Sequence, residues 1–179
     1  MTAHWSRVVM DRETEKYVTS LHYKAFKALE ISGFKWKRFG FASYRNIEYP
    51  EYDICKGPVD NETFDIVIAE QLLEHLLYPS RAVKNVYHML NPGGLAVITT
   101  PFLLKIHNSP IDCSRWTELG LKYLLAEGGF DLKKITVGSW GNEACVVASL
   151  KEWEDFNPDI HSLKNEPDFP IVVWAFAHK

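Results

Sequence analysis

Apolar residues in this chain alternate between two periods. Residues 11–29 (DRETEKYVTSLHYKAFKAL) set Val18, Leu21, Ala25 and Ala28 with Leu29 at helical spacing, which predicts an amphipathic helix with Asp11 as its N-cap. Ala28 to Ser32 (ALEIS) then runs into Gly33 and fits the end of that helix or a buried strand; its shortness and the glycine favour the strand. Phe64 to Ala69 (FDIVIA) is a β-branched apolar run, hence a buried and parallel strand. Pro79 suits the first position of a helix, and Ala82, Val83, Val86, Tyr87 and Leu90 follow at helical spacing. Asn91-Pro92-Gly93-Gly94 stops that helix and turns the chain into a second buried strand, Leu95 to Thr100 (LAVITT), closed by Pro101. Thr117 predicts the N-cap of a helix to about Glu127, with Gly128-Gly129 as a left-handed C-terminal cap. Leu132 to Val137 reads as a strand. Asn142 caps a helix through Trp153, although ACVVASL also reads as strand. Residues 154–168 form a polar loop, and Ile171 to Ala177 (IVVWAFA) is the last strand.

Strands alternating with helices predict an α/β fold, a doubly wound and mostly parallel sheet with helices on both faces. Ligands of such sheets bind outside the carboxyl ends of the strands, where the strand order reverses. That singles out Ser32-Gly33, Asp53-Ile54, Glu70-Gln71 and Pro101-Phe102.

The length of 179 residues, with 46% hydrophobic and 24% charged, suits one domain: residues 1–27 as an N-terminal helix or cap, 28–179 as the core. A net charge of −3 argues against a broad nucleic-acid footprint. No run of about 20 apolar residues predicts a membrane span, and the first ten residues lack a leader pattern, so a cytoplasmic protein is expected. The three cysteines (Cys55, Cys113, Cys145) are scattered, and neither CxxC nor HxxxH occurs. Neither a disulfide framework nor a metal centre is therefore expected.

The stretch FDIVIAEQLLEHLLYPSRAVKNVYHMLNPGGLAVITTPF resembles the Rossmann-like, S-adenosylmethionine-dependent methyltransferases. Their central pattern is FD, an apolar strand, LEH, a proline, a helix, L-x-PGG, a strand and TP. His107 to Thr117 (HNSPIDCSRWT), with Gly129-Phe130, is similar to the H-x-x-P-x-D-x-x-R-(F/W)-T…GF segment of many small-molecule members. The resemblance implies their fold, S-adenosylmethionine as cofactor, and methyl transfer to an oxygen or nitrogen of a small molecule or peptide end. It implies cofactor contacts at Glu30, Ser32, Gly33, Asp53, Ile54, Glu70, Gln71 and His75, with Glu70-Gln71 beside the transferring methyl group. His75 alternatively fixes its loop. Asp112, Arg115 and Trp116 are implied on the acceptor side, with Asp112 and Arg115 also readable as a structural ion pair; Trp140 is a further candidate for the acceptor pocket by its position after a strand, not by the resemblance. His107 is the candidate general base, or a histidine that orders its loop with Asp112.

Two departures stand out. The usual acidic residue followed by G-x-G-x-G is here Glu30-Ile31-Ser32-Gly33-Phe34-Lys35, with one glycine; Lys35 or Arg38 then attracts a ligand carboxylate, or residues 35–38 are a solvated basic turn. A βαβ unit takes about 30 residues, so the interval from Ala28 to Phe64 holds one crossover where the family has two. The fold is therefore expected to be condensed before Phe64. Asp53 lies about 20 residues after Gly33, the offset of a ribose-binding acid, yet it also matches a later, adenine-facing acid. Glu48 and Glu51 are alternatives, and Tyr49 either stacks or packs. The rival to an active enzyme is a non-catalytic binding or partner subunit; a dehydrogenase needs a fuller G-x-G-x-x-G loop. The expected partner is a small-molecule or peptide substrate, with no nucleic acid and no membrane. A second subunit completing the acceptor site, hence a homodimer, stays open.

Overall fold

The sheet is built by the β-branched runs. In a computed structural model, which describes residues 4–179, the strands are β1 (Lys27–Ile31), β2 (Ser43–Ile47), β3 (Phe64–Glu70), β4 (Leu90–Pro101), β5 (Ile135–Trp140) and β6 (Val172–His178). Residues 1–3 of the expected N-terminal cap lie outside the described residues. The six strands run in the order β2-β1-β3-β4-β6-β5. The first four are parallel, and β6 is antiparallel to both β4 and β5. The chain steps from β1 outward to β2 and returns to β3 on the other side of β1. The order thus reverses between β1 and β3, which is where a ligand crevice belongs.

Strand alternation sends side chains to two cores. Leu29, Val67, Ala69, Ala96 and Ile98 meet α2 (Pro79–Met89) and α3 (Glu118–Glu127) through Val83, Val86, Leu121 and Leu125. Ala28, Ile66, Ile68, Leu95 and Val97 face the other side, with α1 (Val8–Thr19) through Met10 and Val18 and α4 (Glu143–Lys151) through Cys145. Trp36 and Trp140 are fully sealed there; burying such a side chain contributes roughly 1.5–3 kcal/mol. Helices therefore cover both faces. Pro79 opens α2 at its first turn, and Thr117 caps α3 by accepting from the Gly120 amide. Asn142 caps α4 by accepting from the Cys145 amide, which settles ACVVASL as helix.

Several boundaries differ from the sequence reading. The first helix starts at Val8, so Asp11 is inside it rather than its cap, and it ends at Thr19 instead of running to Leu29. Thr19 and Ser20 hydroxyls donate to the Glu15 and Tyr17 carbonyls, a 3-10 turn follows at Tyr23–Ala25, and Ala28-Leu29 belong to β1. Leu132–Lys134 is a 3-10 turn, so β5 begins at Ile135. The Asn91–Gly94 reversal forms an irregularity within β4: Phe64 pairs with Leu90 but Ile66 with Leu95. Gly93 there has φ 78°, a conformation suited to glycine.

The condensed region is as expected. Between β1 and β2 stands only a 3-10 segment, Lys35–Phe39, and residues 48–63 reach β3 through turns. No helix among the described residues is long and apolar enough to cross a membrane.

Candidate functional site at the carboxyl edge of the sheet

Neighbouring strands β1 and β3 both end in left-handed turns made by residues other than glycine. Ser32 has φ 61° and Gln71 has φ 50°, a conformation that costs about 1–3 kcal/mol and concentrates at ligand sites. Backbone pairing holds both turns: the Ser32 amide donates to Ile47 O at 2.9 Å and the Gln71 amide to Thr99 O at 2.9 Å. Ser32 is exposed. Gly33 follows with φ 146°, and a Cβ there would sit 3.0 Å from Glu30 Oε1.

Glu30 explains how one glycine suffices. Its carboxylate, 3% exposed as a residue, accepts from the Lys35 amide (3.0 Å), the Trp36 amide (2.9 Å) and the Tyr44 hydroxyl (2.6 Å). The loop is thus folded around a side chain. Burial, and then the Glu30 hydrogen bond, raise the Tyr44 pKa, so the phenol stays a donor. Glu30 is accordingly a scaffold of the crevice.

Glu70, at the end of β3, points to the α1 side with its side chain 7% exposed. Lys35 Nζ donates to it at 2.9 Å and to Asp11 at 2.9 Å, and Arg7 Nη2 stands 3.6 Å away. Burial raises the Glu70 pKa, opposed by Lys35. Gln71 Nε2 donates to Thr99 Oγ1 at 3.1 Å and lies against Met10 Sδ. The expectation that Lys35 or Arg38 waits for a ligand carboxylate is corrected: Lys35 is committed to Glu70 and Asp11, and Arg38 to Glu15.

Beyond β2, Glu48 and Glu51 line a cavity of about 470 Å³ with Arg45, Tyr52 and Asp60. Asp53 lines an adjoining hollow of about 340 Å³ with Pro50 and Gly57, and its Oδ1 accepts from the Cys55 amide at 2.9 Å. Tyr49 is exposed and available for stacking. Ile54 is buried among the α2-side core residues, so its side chain is a packing element and not a ligand contact.

On the other side of β3, the 3-10 turn Leu73–His75 meets the loop after β4. The Cys113 amide donates to Glu74 O at 2.7 Å, and His75 Nδ1 donates to Ile111 O, joining the two loops. A carbonyl only accepts, so His75 Nδ1 carries a proton. The His75 and His107 rings meet edge to face, centroids 5.0 Å apart, and Trp153 lies 5.6 Å from His107. Burial lowers the His107 pKa, which keeps the imidazole neutral. Asp112 and Arg115 form a bidentate pair, with Nη2–Oδ2 at 2.6 Å, and Asp112 also accepts from the His107 amide at 2.8 Å. The Arg115 hydrogen bond holds the Asp112 pKa down at about 2. These two residues are therefore the structural pair of the alternatives, and His107 is ordered through its backbone. Trp116 packs partly against the α2-side core. Trp140 does not line this site: it is 2% exposed, and its indole N–H donates to Leu163 O at 3.1 Å.

Glu74 is the residue that sequence reasoning passed over. Its side chain is wholly buried, neither carboxylate oxygen has a hydrogen-bond partner, and burial pushes its pKa up to about 7. Its only signal was adjacency to His75 in the LEH triplet.

Comparison with known proteins fits this architecture. Residues 17–98 match the family described as "Methyltransferase domain". The chain is 29% identical over 126 residues to the ubiquinone biosynthesis O-methyltransferase of Coxiella burnetii, covering 69% of this chain and 51% of that protein. It thus spans about half the length of the curated relatives it matches. In fold it is similar to an S-adenosylmethionine-dependent methyltransferase from Mesorhizobium loti, with TM-score 0.62 and 15% identity over 93% of this chain and 97% of that one. It is also similar to phosphoethanolamine N-methyltransferase 2 of Haemonchus contortus in complex with S-adenosyl-L-methionine, with TM-score 0.61 and 12% identity over 94% of this chain and 52% of that one.

Proposed function

We propose, from the premise that this chain belongs to the Rossmann-like, S-adenosylmethionine-dependent methyltransferase family, that it methylates an oxygen or nitrogen of a small molecule or peptide end. The observation that carries the reading is the carboxyl edge at the switch point, where adjacent strands end in strained turns at Ser32 and Gln71 and Glu70 is a buried acid; the imidazole pair of His75 and His107 stands on the loops that follow β3 and β4. Oxygen is the favoured acceptor, because the Coxiella relative is an O-methyltransferase.

The residues fit the cofactor in charge. Glu70 already holds one ammonium, Lys35 Nζ at 2.9 Å, in a nearly dry setting. S-Adenosylmethionine brings two cationic centres, an ammonium and a sulfonium, and supplies an electrophilic methyl carbon. Replacement of Lys35 by either centre keeps Glu70 neutralised. Ser32 offers an exposed hydroxyl, and the cavities beside Glu48, Glu51 and Asp53 offer carboxylates for ribose hydroxyls. On the acceptor side, the Asp112–Arg115 pair fixes the loop that presents His107. In-line displacement needs the acceptor atom held about 3 Å from the methyl carbon, so positioning carries most of the catalysis. A hydroxyl acceptor must also lose its proton, for which the neutral His107 imidazole is placed; a carboxylate acceptor needs no base.

A second reading, a partner subunit that does not bind cofactor, is favoured by the same Lys35–Glu70–Asp11 bridge, which lies across the crevice. Isothermal titration with S-adenosylmethionine separates the two. The enzyme reading expects saturable heat and labelled product from a panel of phenols, carboxylates and amines supplied with labelled donor. No heat at millimolar ligand would give the second reading.

A further inference from the structure

Glu74 remains unexplained by methyl transfer. A fully buried carboxylate normally acquires hydrogen bonds, yet both of its oxygens lack a partner. They face two imidazoles. One ligand atom each from Glu74, His75 and His107 lies within 4.8 Å of the other two, and His75 Nε2 stands 3.7 Å from Glu74 Oε1. We propose that Glu74, His75 and His107 form a binding site for a divalent first-row transition-metal ion, with zinc as the favoured occupant.

The donor set supports that class. Two imidazoles and one carboxylate suit zinc and its neighbours, whereas magnesium and calcium take oxygen ligands. Ligand atoms about 2.1 Å from a tetrahedral ion stand about 3.4 Å apart. The Glu74–His75 separation is already near that value, and the widest gap in the cluster, 4.8 Å, closes with a shift of about 1.4 Å, which His107 can supply on its loop. His75 is oriented for the task. Its Nδ1–H is spent on the Ile111 carbonyl, which leaves Nε2 free on the Glu74 side, the outer contact that ligating histidines generally make. The bound ion also gives a partner to a buried carboxyl group whose oxygens otherwise accept no hydrogen bond.

With three protein ligands, two of them histidines only partly buried, a tetrahedral ion would keep its fourth position open. This goes beyond the methyl-transfer reading and does not need it. Where both hold, His107 would be a ligand rather than the base, and the ion would lower the pKa of a hydroxyl acceptor held at the open position, whose proton would pass to solvent.

The test is equilibrium dialysis of the chelator-treated full chain against Zn²⁺, and in parallel Co²⁺, with metal content measured per chain. One ion per chain is expected, with a visible ligand-field spectrum for Co²⁺. Affinity should fall at least about tenfold in Glu74→Gln and in His107→Ala, and should be unchanged in His22→Ala, an exposed histidine on another loop. Near-ultraviolet circular dichroism verifies the fold of each variant. Glu74→Gln keeps the side-chain shape, so a folded protein is expected. A wild-type chain that takes up no ion, or folded variants that bind as tightly as wild type, overturns the site. Metal content is read without turnover, so failure of the methyl-transfer reading leaves the result intact.

Discussion

Replacing Lys35 by methionine removes the ammonium from Glu70 while keeping most of the stem's packing. At an effective dielectric of about 20, opposite charges at the observed 2.9 Å attract by about 6 kcal/mol before desolvation is counted. Breaking a buried pair on one side typically costs 3–5 kcal/mol. Here Arg7 remains 3.6 Å from Glu70, and Lys35 is itself 22% exposed, so about 2–3 kcal/mol is expected. For a chain of this size that lowers Tm by roughly 5–10 °C. The pH dependence has a definite sign. Burial raises the folded-state pKa of Glu70 above its unfolded value, so the native state binds the extra proton. The deficit is then largest at neutral pH and shrinks as pH falls through the folded pKa toward the ordinary carboxylate range. Differential scanning calorimetry from pH 7.5 down to 5 reads both effects.

The same variant probes cofactor fit. If a cationic centre of S-adenosylmethionine takes the place of Lys35, saturating ligand raises Tm more in Lys35→Met than in wild type, because no bridge has to be displaced. Equal melting of variant and wild type at pH 7.5 refutes the buried-pair reasoning. A smaller ligand-induced shift in the variant refutes the replacement.

Three further outcomes are expected. His107→Ala lowers turnover of a hydroxyl acceptor by about 10²–10⁴-fold and hardly changes that of a carboxylate acceptor; an unchanged rate on a hydroxyl removes His107 from the chemistry, as base or as ligand. Gly141→Ala places a methyl 1.9 Å from the Phe169 carbonyl oxygen and 2.5 Å from the Ile171 amide nitrogen. Backbone must move, so a loss of at least about 3 kcal/mol is expected by denaturant unfolding. Thr117→Ala removes the acceptor of the Gly120 amide at the start of α3, for about 1 kcal/mol by the same assay; Thr117→Ser should restore most of it.

The parts legible in the sequence are those decided locally. Phe64–Ala69, Leu95–Thr100 and Ile171–Ala177 are runs rich in β-branched or aromatic residues, buried apart from Asp65. Pro79, Thr117 and Asn142 mark helix starts by chemistry that needs no tertiary partner. The first helix misleads because Leu21, Ala25, Ala28 and Leu29 continue its period. What ends it is the pairing of Lys27–Ile31 with both β2 and β3, together with the Lys27 amide donating to Asp65, and such contacts have no sequence signature. The same limit governs the site. The turns at Ser32 and Gln71 followed from the end of an apolar strand, but the partners of Glu30, Glu70 and Glu74 arrive from other segments. His107 reaches His75 through loops pinned by Ile111 and Cys113. Ile54 and Trp140 were placed by position along the chain, and their burial reflects side-chain direction, which spacing alone does not give.

Condensation of the first half changes how the loop after β1 is held. A glycine-rich loop lets backbone approach a ligand by removing side chains. This chain retains one glycine, Gly33, and makes an acid do the remaining organisation. Three donors on Glu30 fix the path of residues 32–36, and that path aims Lys35 at Glu70. The first helix then delivers Asp11 and Arg7 to the same point, since its opening turn lies over the end of β3. Ligand access is therefore coupled to α1: any cation that takes Lys35's place on Glu70 releases Lys35 to Asp11 and Glu15, which both lie within 4 Å of it. The charge freed by binding stays paired on the helix. Cofactor binding should thus tighten α1 against the sheet, and α1 amides should gain hydrogen-exchange protection with S-adenosylmethionine while those of α3, on the opposite face, stay unchanged. Protection that appears on α3 and not on α1 would contradict the coupling.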